Sequence, residues 1–449
     1  MPYAINIFST RARNSFFRAA SWSKVLEKII ADQTLCHIIT NELLDNNQCA
    51  YRPGYSTETA LLATQDMLWS AHEQGFVSAL ILTDLSAAFD TVDHRVLLRR
   101  LKTCFSIKGP ALSWFQSYLS ERSFRVSHNG ATSSHRLIDC GVPQGSVLGP
   151  LLFSCYVSPI RDVISKIHGV VHISYADDLQ VIVSARSSAA CQLIASHSVE
   201  IIRSWLVRNG LAFNDSKLEL MCFNPTSLTI VNDFSLTIGS VICQSQDTVR
   251  NLGVQFNKTM NLEVHVASVA KACFAILRNL WKIRHWLTIQ SAKSLAHVHI
   301  ISRLDYCNSL LLGCTNNIIQ PLQRIQNCAA RFVYGLTGHC PTSTLLRELH
   351  WLPVKQRIQF KLLTITHNTM YSDHSPALLR SKITILPSHS QRISADRLQT
   401  SPHRLRTGGK AFRHSAPTAW NSLPTTISSI KDIKRFKAAL KTHLFYTTW

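Results

Sequence analysis

Apolar residues recur along the chain with two different periods, and each period predicts one kind of element. Where they recur every three or four residues, an amphipathic helix is expected; short runs rich in β-branched and aliphatic residues predict strands. The predicted helices are Trp22–Thr40, Thr57–Ala71, Thr91–Lys102, a helix from Pro150, Ser188–Asn209, His265–Trp286 and Lys431–Phe445. The predicted strands are Phe76–Asp84, Val170–Tyr175, Leu179–Ser184 and Lys217–Phe223.

Some of these elements carry finer expectations. In the first helix the apolar stripe is expected to face the core and the charged residues, Glu27 among them, to face outward; the stripe is Val25, Leu26, Ile29 and Ile30. Asp90 and Asp93 are both expected to act as caps at the start of the helix predicted from Thr91, with Asp90 as its N-cap. Ala176-Asp177-Asp178 lies between two short apolar runs, which predicts a tight hairpin. Beyond Asn251 the pattern becomes mainly helical.

Composition narrows the class of protein. Of 449 residues, 46% are hydrophobic and 16% charged, which excludes a disordered or fibrous chain. No apolar run approaches the roughly 18 residues that a transmembrane helix needs, so no membrane association is expected. The 13 cysteines are scattered singly, without a Cys-x-x-Cys pair. This pattern favours reduced thiols in the nucleus or cytoplasm over a disulfide framework or a zinc finger.

The charge is strongly positive and unevenly distributed. Lys and Arg number 47 against 26 Asp and Glu, a net charge of +21. Residues 331–449 alone hold 18 basic and 4 acidic residues, a net of +14. A field of this sign favours a polyanionic partner, and nucleic acid is the first candidate. A basic surface kept for solubility is the alternative.

Acidic residues stand where packing alone does not explain them. Asp84 ends an apolar strand, and Asp177 and Asp178 occupy the turn of the predicted hairpin. A carboxylate beside a strand core is costly unless it caps, pairs or binds a cation. Converging carboxylates suit Mg²⁺, and two such ions about 3.5–4 Å apart support phosphoryl transfer. An Asx turn remains the alternative for any one of these residues.

Five segments in order match a known pattern: "LTDLSAAFDTVDH", "GVPQGSVLGPLLF", "YADDLQ", "NDSKLEL" and "NLGV". They resemble motifs A to E of reverse transcriptases from non-LTR (LINE-type) retrotransposons. Upstream, "SKVLEKII" and "YRPGYSTETALL" resemble segments near the fingers of that family. Downstream, "SRLDYCNSLL", "LHWLPVKQRI" and "AFRHSAPTAWNSLP" resemble the C-terminal part of chicken-repeat-like and jockey-like elements.

The resemblance implies a role for each matching residue. Asp84 and Asp177 would bind the metal ions, with Asp178 as their neighbour, and Lys217 would protonate the leaving pyrophosphate. Phe89 would be the steric gate that selects deoxynucleotides. Six further residues would contact the substrates: Gln144, Gly145 and Arg52 near the incoming nucleotide and template, and Leu252-Gly253-Val254 as the primer grip. The implied cofactor is a pair of Mg²⁺ ions, with Mn²⁺ as an alternative.

The family also implies an architecture: an α/β (α+β) right-hand polymerase. Its expected parts are an N-terminal segment with a fingers-proximal helix (1–44), fingers and palm (45–235), a helical thumb (236–335) and a basic C-terminal helical region (336–449). Residues 1–20 do not match the fingers segment of the family, so the chain is expected to be N-terminally truncated.

The implied activity is RNA-directed DNA polymerisation, with an RNA template, a DNA primer or target and deoxynucleoside triphosphates as partners. The sequence leaves the oligomeric state open. A non-catalytic nucleic-acid-binding remnant and a group II intron-type maturase are the alternatives.

Overall fold

The computed structural model describes residues 16–86, 89–143, 145–224, 234–239, 241–338, 340–386, 396–402 and 408–449. In its N-terminal half, helices alternate with antiparallel strands, and beyond Asn257 the described chain is almost entirely helical. The predicted mixed α/β class is confirmed.

The helices of both halves have the following bounds. They are α1 Phe16–Thr40, α2 Thr57–Glu73, α3 His94–Thr103, α4 Gly109–Leu119, α5 Gly149–Val157, α6 Ile160–Ile164, α7 Ser188–Arg208, α8 Glu263–Lys282, α9 Ile289–Ala296, α10 Ser302–Asp305, α11 Asn316–Tyr334, α12 Thr342–Glu348, α13 Val354–Tyr371, α14 Ala377–Arg380, α15 Phe412–Asn421, α16 Thr425–Ser428 and α17 Ile433–Tyr446. Short 3₁₀ helices lie at Asp215–Lys217, Arg284–Trp286, Asn308–Leu311 and Gly408–Lys410, and a π-helical turn at His297–Ile301.

The strands belong to one larger sheet and several hairpins. They are β1 Val77–Ser86, β2 Ser123–Phe124, β3 Ser127–His128, β4 Ala131–Thr132, β5 Arg136–Leu137, β6 Val170–Tyr175, β7 Asp178–Ala185, β8 Ala212–Phe213, β9 Glu219–Phe223, β10 Ser235–Ile238, β11 Val241–Gln244, β12 Thr248–Asn251, β13 Val254–Asn257, β14 Ile385–Leu386 and β15 Arg397–Leu398. In the larger sheet β1 pairs with β7 on one side and β9 on the other, β6 pairs with β7, and β8 pairs with the end of β1. All of these pairs are antiparallel.

Strand β1 is buried on both faces because the sheet is covered on both sides. Successive side chains of a strand point to opposite faces. Ala79 and Ile81 therefore join the hydrophobic cluster formed with α3, α5 and α7. Leu80 and Leu82 join a second cluster, formed with α2 and the helices of the C-terminal half. The continuous apolar run that predicted this strand reflects that double burial.

Helix α2 is packed between the sheet and the helical half of the chain. Its side chains are buried nearly all round, including the polar residues Glu58 and Asp66. Glu58 accepts hydrogen bonds from the backbone N–H and the hydroxyl of Ser309, and Asp66 pairs with Arg413. Residues of the expected fingers and palm, thumb and C-terminal regions thus contribute to one shared core.

The expected orientation of α1 is wrong at Glu27. This side chain is buried, and its Oε2 accepts hydrogen bonds from the backbone N–H groups of Val147 at 2.7 Å and Leu148 at 3.4 Å. Val25 and Ile29 of the apolar stripe are exposed instead. The reason is that the first N–H groups of a helix lack intrahelical acceptors, and Glu27 supplies one beside the start of α5.

Of the two aspartates expected to cap α3, Asp93 is confirmed, and the expectation that Asp90 is the N-cap is wrong. The helix begins at His94, and its N-cap is Asp93, whose Oδ1 accepts from the N–H groups of Arg95 and Val96 at 2.8 and 2.9 Å. Asp93 takes the cap because its backbone is extended and directly precedes the first helical turn. Asp90 lies before it in a turn.

Two further boundaries differ from the predictions. Lys217 lies in a 3₁₀ turn, and the strand predicted from it starts at Glu219. The helix predicted over His265–Trp286 ends at Lys282, followed by a separate 3₁₀ turn.

No helix in the described part of the chain is long and apolar enough to cross a membrane. All 13 cysteines are free thiols.

Candidate active site

The β1–β7 ladder brings two of the predicted carboxylates face to face. Asp84, near the end of β1, is the direct register partner of Asp178, the first residue of β7. The backbone N–H of Leu85 donates to the carbonyl oxygen of Asp177 at 3.2 Å, which ties the hairpin tip to β1. Antiparallel pairing therefore gathers all three acids at one end of the sheet.

The hairpin between β6 and β7 is as tight as predicted. Ala176 has a φ of +58°, a conformation that is unfavourable for a residue with a Cβ. The fully buried Gln48 supports it, because its Oε1 accepts from the Ala176 N–H at 3.3 Å. The preceding strand is bonded to the same segment: the Cys49 N–H donates to the carbonyl of Ser174 at 2.8 Å.

Arg52 and His172 both contact Asp45, in the loop that is bonded to the β6–β7 hairpin. His172 is buried in β6, and its Nε2 lies 2.7 Å from Oδ2 of Asp45. Arg52 Nη1 donates to the Asp45 carbonyl at 2.9 Å, and its guanidinium lies over the Tyr55 ring, 4.4 Å from the centroid. Arg52 thus stabilises the loop that holds the hairpin.

The acids affect one another electrostatically. The pKa of Asp178 is raised to about 6, mainly by burial and then by the negative charges of Asp177 and Asp84. Asp84 is partly neutralised by Lys217, whose Nζ lies 2.9 Å from its Oδ2. The 3₁₀ turn before β9 directs the lysine to this carboxylate. The site therefore concentrates negative charge with one adjacent ammonium.

A cleft of about 500 Å³ opens beside these residues. Its lining includes Asp84, Asp178 and Lys217, together with Leu252 and Gly253. These last two form the turn between β12 and β13, with φ values of +43° and +83°. Val254, predicted with them, is fully buried and contributes to the core. Only two of the three predicted primer-grip residues thus line the cleft.

Phe89 and the glycine-rich loop lie next to each other. The half-buried Phe89 ring stacks on the fully buried Phe153 of α5, with centroids 4.7 Å apart. The Val142 N–H donates to the Phe89 carbonyl at 2.8 Å. Gly145 has a φ of +79°, and a Cβ at this position would meet nothing within 4 Å. Glycine is thus required there by conformation. Gln144 lies outside the described residues.

A buried polar network at the wall of the cleft, which Gln180 and Asn251 help to line, escaped sequence reasoning. Gln180 of β7 accepts at Oε1 from the Thr64 hydroxyl at 2.7 Å and from Asn251 Nδ2 at 2.8 Å. It joins α2, the central sheet and the β12–β13 hairpin. A polar residue inside the apolar run Leu179–Ser184 was the available signal, because buried amides need partners. Glu27 offered no comparable signal, because helical amphipathicity placed it outward.

The carboxylates are oxygen donors of the kind that hard divalent cations bind. Among the residues that the structure describes, no group of three or more His, Cys, Asp or Glu side chains is arranged to hold a metal ion. Mg²⁺ sites commonly use one or two carboxylates, completed by substrate phosphates and water. Asp84 and either aspartate of the hairpin tip, Asp177 or Asp178, would supply such a pair.

A family model described as "Reverse transcriptase (RNA-dependent DNA polymerase)" matches residues 14–256, more than half of the chain. The chain belongs to the reverse transcriptase family. The match covers every residue of the candidate site, and with the sheet and helices described above it confirms the predicted polymerase fold. Enzymes of this family generally use divalent metal ions.

The curated relatives are polymerases of mobile elements. The probable RNA-directed DNA polymerase from transposon BS of Drosophila melanogaster is 25% identical over 362 residues, which are 79% of this chain and 39% of that protein. The RNA-directed DNA polymerase from mobile element jockey of Drosophila funebris is 27% identical over 255 residues, covering 56% and 27%. These relatives confirm the predicted LINE-type kinship. The chain spans about two fifths or less of their length.

Solved structures of telomerase also resemble the chain. The apo telomerase of Candida tropicalis aligns with a TM-score of 0.41 and 11% identity, over 77% of this chain and 57% of that one. This similarity is too distant to add to the assignment.

Proposed function

We propose that the chain catalyses RNA-directed DNA synthesis for a non-LTR retrotransposon. It adds deoxynucleotides to a DNA 3′-hydroxyl on an RNA template, in the nucleus or cytoplasm. The observation that carries the proposal is the register of Asp84 opposite Asp178, in a cleft that also contains Lys217 and the Leu252–Gly253 turn.

Asp84 and Asp177 would be the main ligands of the divalent cations, and Asp178 would add negative charge beside them. Bound Mg²⁺ would stabilise charge on the attacking and leaving oxygens. Burial raises the pKa of Asp178, and the negative charges of Asp177 and Asp84 raise it further, which supports carboxylates lying close together here. Substrate phosphates and water would complete the coordination.

Lys217 would serve as the proton donor to the departing pyrophosphate. Its Nζ, 2.9 Å from Asp84 Oδ2, is already in the cleft. The side chain is largely exposed, so it is free to turn from the carboxylate to a phosphate that enters. Positioned proton transfer of this kind typically contributes about 10²–10⁴-fold to a rate.

Phe89 would exclude ribonucleotides by occupying the space of the 2′-hydroxyl. To exclude the 2′-hydroxyl, the Phe89 ring must keep its position, and its stacking on the buried Phe153 ring limits its movement. The backbone of Gly145, in the loop beside it, would approach the nucleotide with Gln144, while Arg52 would hold the loop behind the catalytic hairpin.

The basic C-terminal region would bind the RNA or DNA outside the cleft. Helix α17 buries Phe436 and Leu440 and carries three lysines at spacings of three and four residues on one exposed side. No carboxylate of the described residues pairs with any of the three. We call this side the basic face; it consists of Lys434, Lys437 and Lys441. Unpaired ammonium groups at this spacing suit a phosphate backbone.

A primer-extension assay on an RNA template with an annealed DNA primer tests the proposal. Wild-type protein is expected to extend the primer in Mg²⁺, and Asp84→Asn and Asp177→Asn are expected to abolish extension while template binding is retained. Asp247→Asn, which changes an exposed aspartate, is the matched control. Template binding without extension by the wild type would refute the polymerase and favour a nucleic-acid-binding remnant.

A further inference from the structure

Tyr306 contacts the turn at the rim of the cleft from a distant part of the chain. It follows α10 in the segment "SRLDYCNSLL", residues 302–311. Its hydroxyl donates to the carbonyl oxygen of Leu252 at 2.7 Å. Its ring covers Gly253 so closely that a Cβ there would lie 3.4 Å from Cε1 and from the hydroxyl oxygen. Burial is the main cause that raises the pKa of Tyr306, so the hydroxyl stays protonated and able to donate.

The backbone conformation of the Leu252–Gly253 turn explains why a hydrogen bond from Tyr306 matters. Leu252 and Gly253 both have positive φ, and this conformation is unfavourable for leucine. A two-residue turn with both φ values positive matches the twist of a hairpin. The hydrogen bond from Tyr306 stabilises this conformation over alternatives in which the Leu252 carbonyl points elsewhere.

Tyr306 is itself anchored independently of the turn. Its neighbour Asp305 accepts from Arg357 Nε of α13 at 2.7 Å. A few residues on, Ser309 is bonded to Glu58 of α2, and the Leu310 carbonyl accepts from Gln65 Nε2 of α2 at 3.2 Å. The segment is thus fixed to the central helix, and Tyr306 transmits that rigidity to the rim of the cleft.

We infer that Tyr306 is a positioning residue that sets the Leu252–Gly253 turn and thereby the place of the primer 3′ end. The inference rests on the proposed function, in which this turn contacts the primer. It assigns a role to the "SRLDYCNSLL" segment, which the polymerase motifs leave without one.

The test compares Tyr306→Phe with Tyr446→Phe, which alters a largely exposed tyrosine at the end of α17. The first variant keeps the ring over Gly253 and removes only the donor. Fluorescence anisotropy measures the affinity for an RNA template carrying a DNA primer with a recessed 3′ end, and for the template alone. Tyr306→Phe is expected to weaken primer-end binding about two- to tenfold, the effect of one hydrogen bond, and to leave template binding unchanged. Amide hydrogen exchange at residues 252–254 is expected to accelerate.

The outcomes separate this inference from the proposed function. Equal effects on both nucleic acids, or none, would overturn the positioning role, as would a wild type that binds the primer end no better than the bare template. Faster exchange at the turn with unchanged primer-end binding would overturn it too. If the wild type selects the primer end but fails to extend it, the polymerase proposal fails while the binding comparison still decides the role of Tyr306.

Discussion

The pair between Asp66 of α2 and Arg413 of α15 couples the C-terminal region to the centre of the fold. Asp66 is completely buried. Its carboxylate accepts from the Arg413 backbone N–H at 2.9 Å, from Nε at 3.1 Å and from Nη2 at 2.6 Å. Arg413→Ala removes the side-chain donors and leaves a buried carboxylate without its cation.

Breaking a buried ion pair from one side costs about 3–5 kcal/mol. Lys382 lies near Asp66: burial lowers the pKa of this lysine, and the negative charge of Asp66 raises it. Its ammonium group is therefore expected to replace part of the positive charge that Arg413→Ala removes. We therefore expect Arg413→Ala to lower the free energy of unfolding by about 3 kcal/mol, roughly a hundredfold in the equilibrium constant. Asp66→Asn should cost less, about 1–3 kcal/mol, because the stranded arginine is partly exposed and can be solvated.

Urea unfolding followed by tryptophan fluorescence measures these differences, since Trp69 and Trp420 are buried in the two regions that the pair joins. Limited trypsin digestion of Arg413→Ala should show earlier cleavage at the lysines and arginines that lie C-terminal to residue 408. The control is Arg435→Ala on the exposed side of α17. A free energy of unfolding for Arg413→Ala within about 0.5 kcal/mol of this control would refute the coupling, since surface substitutions usually fall in that range.

Three further predictions follow from the electrostatics and packing. Burial lowers the pKa of His265 to about 4, so on acidification the unfolded chain binds a proton before the folded protein does, and the free energy of unfolding is expected to fall as pH drops from about 6.5 to 4. In His265→Asn this free energy should depend less on pH. An unchanged pH dependence in the variant would contradict the prediction. Phe153→Ala removes the ring that supports Phe89 and should raise the ratio of ribonucleotide to deoxynucleotide incorporation on the order of tenfold. Leu152→Ala, at an equally buried position, controls for lost stability. Equal incorporation ratios in the two variants would contradict the role of Phe89 as a steric gate. Replacing all three lysines of the basic face with glutamate should reduce the slope of log K against log salt by about 2–3 for a duplex; an unaltered slope would exclude that face from the interface.

Sequence reasoning worked well for the order of elements and for the acids at their ends. The apolar runs that predicted β1, β6 and β7 are strands, and the Ala176–Asp178 turn is the hairpin expected between two of them. These features are local, because a buried strand and a tight turn each leave a pattern in neighbouring residues. Local patterns also misled: the amphipathic period of α1 placed Glu27 outward, although it binds the start of a helix 120 positions away.

The amino-acid sequence by itself determined the reverse transcriptase family, the mixed class of the fold and which acids stand at the ends of strands. Tertiary structure alone decided that Asp84 opposes Asp178, that α2 joins the sheet to the C-terminal helices, and that Tyr306 reaches the Leu252–Gly253 turn. The physical reason is distance along the chain. Periodicity and turn chemistry act over a few residues, whereas a buried carboxylate or a strained turn takes its partner from whichever segment the packing brings to it.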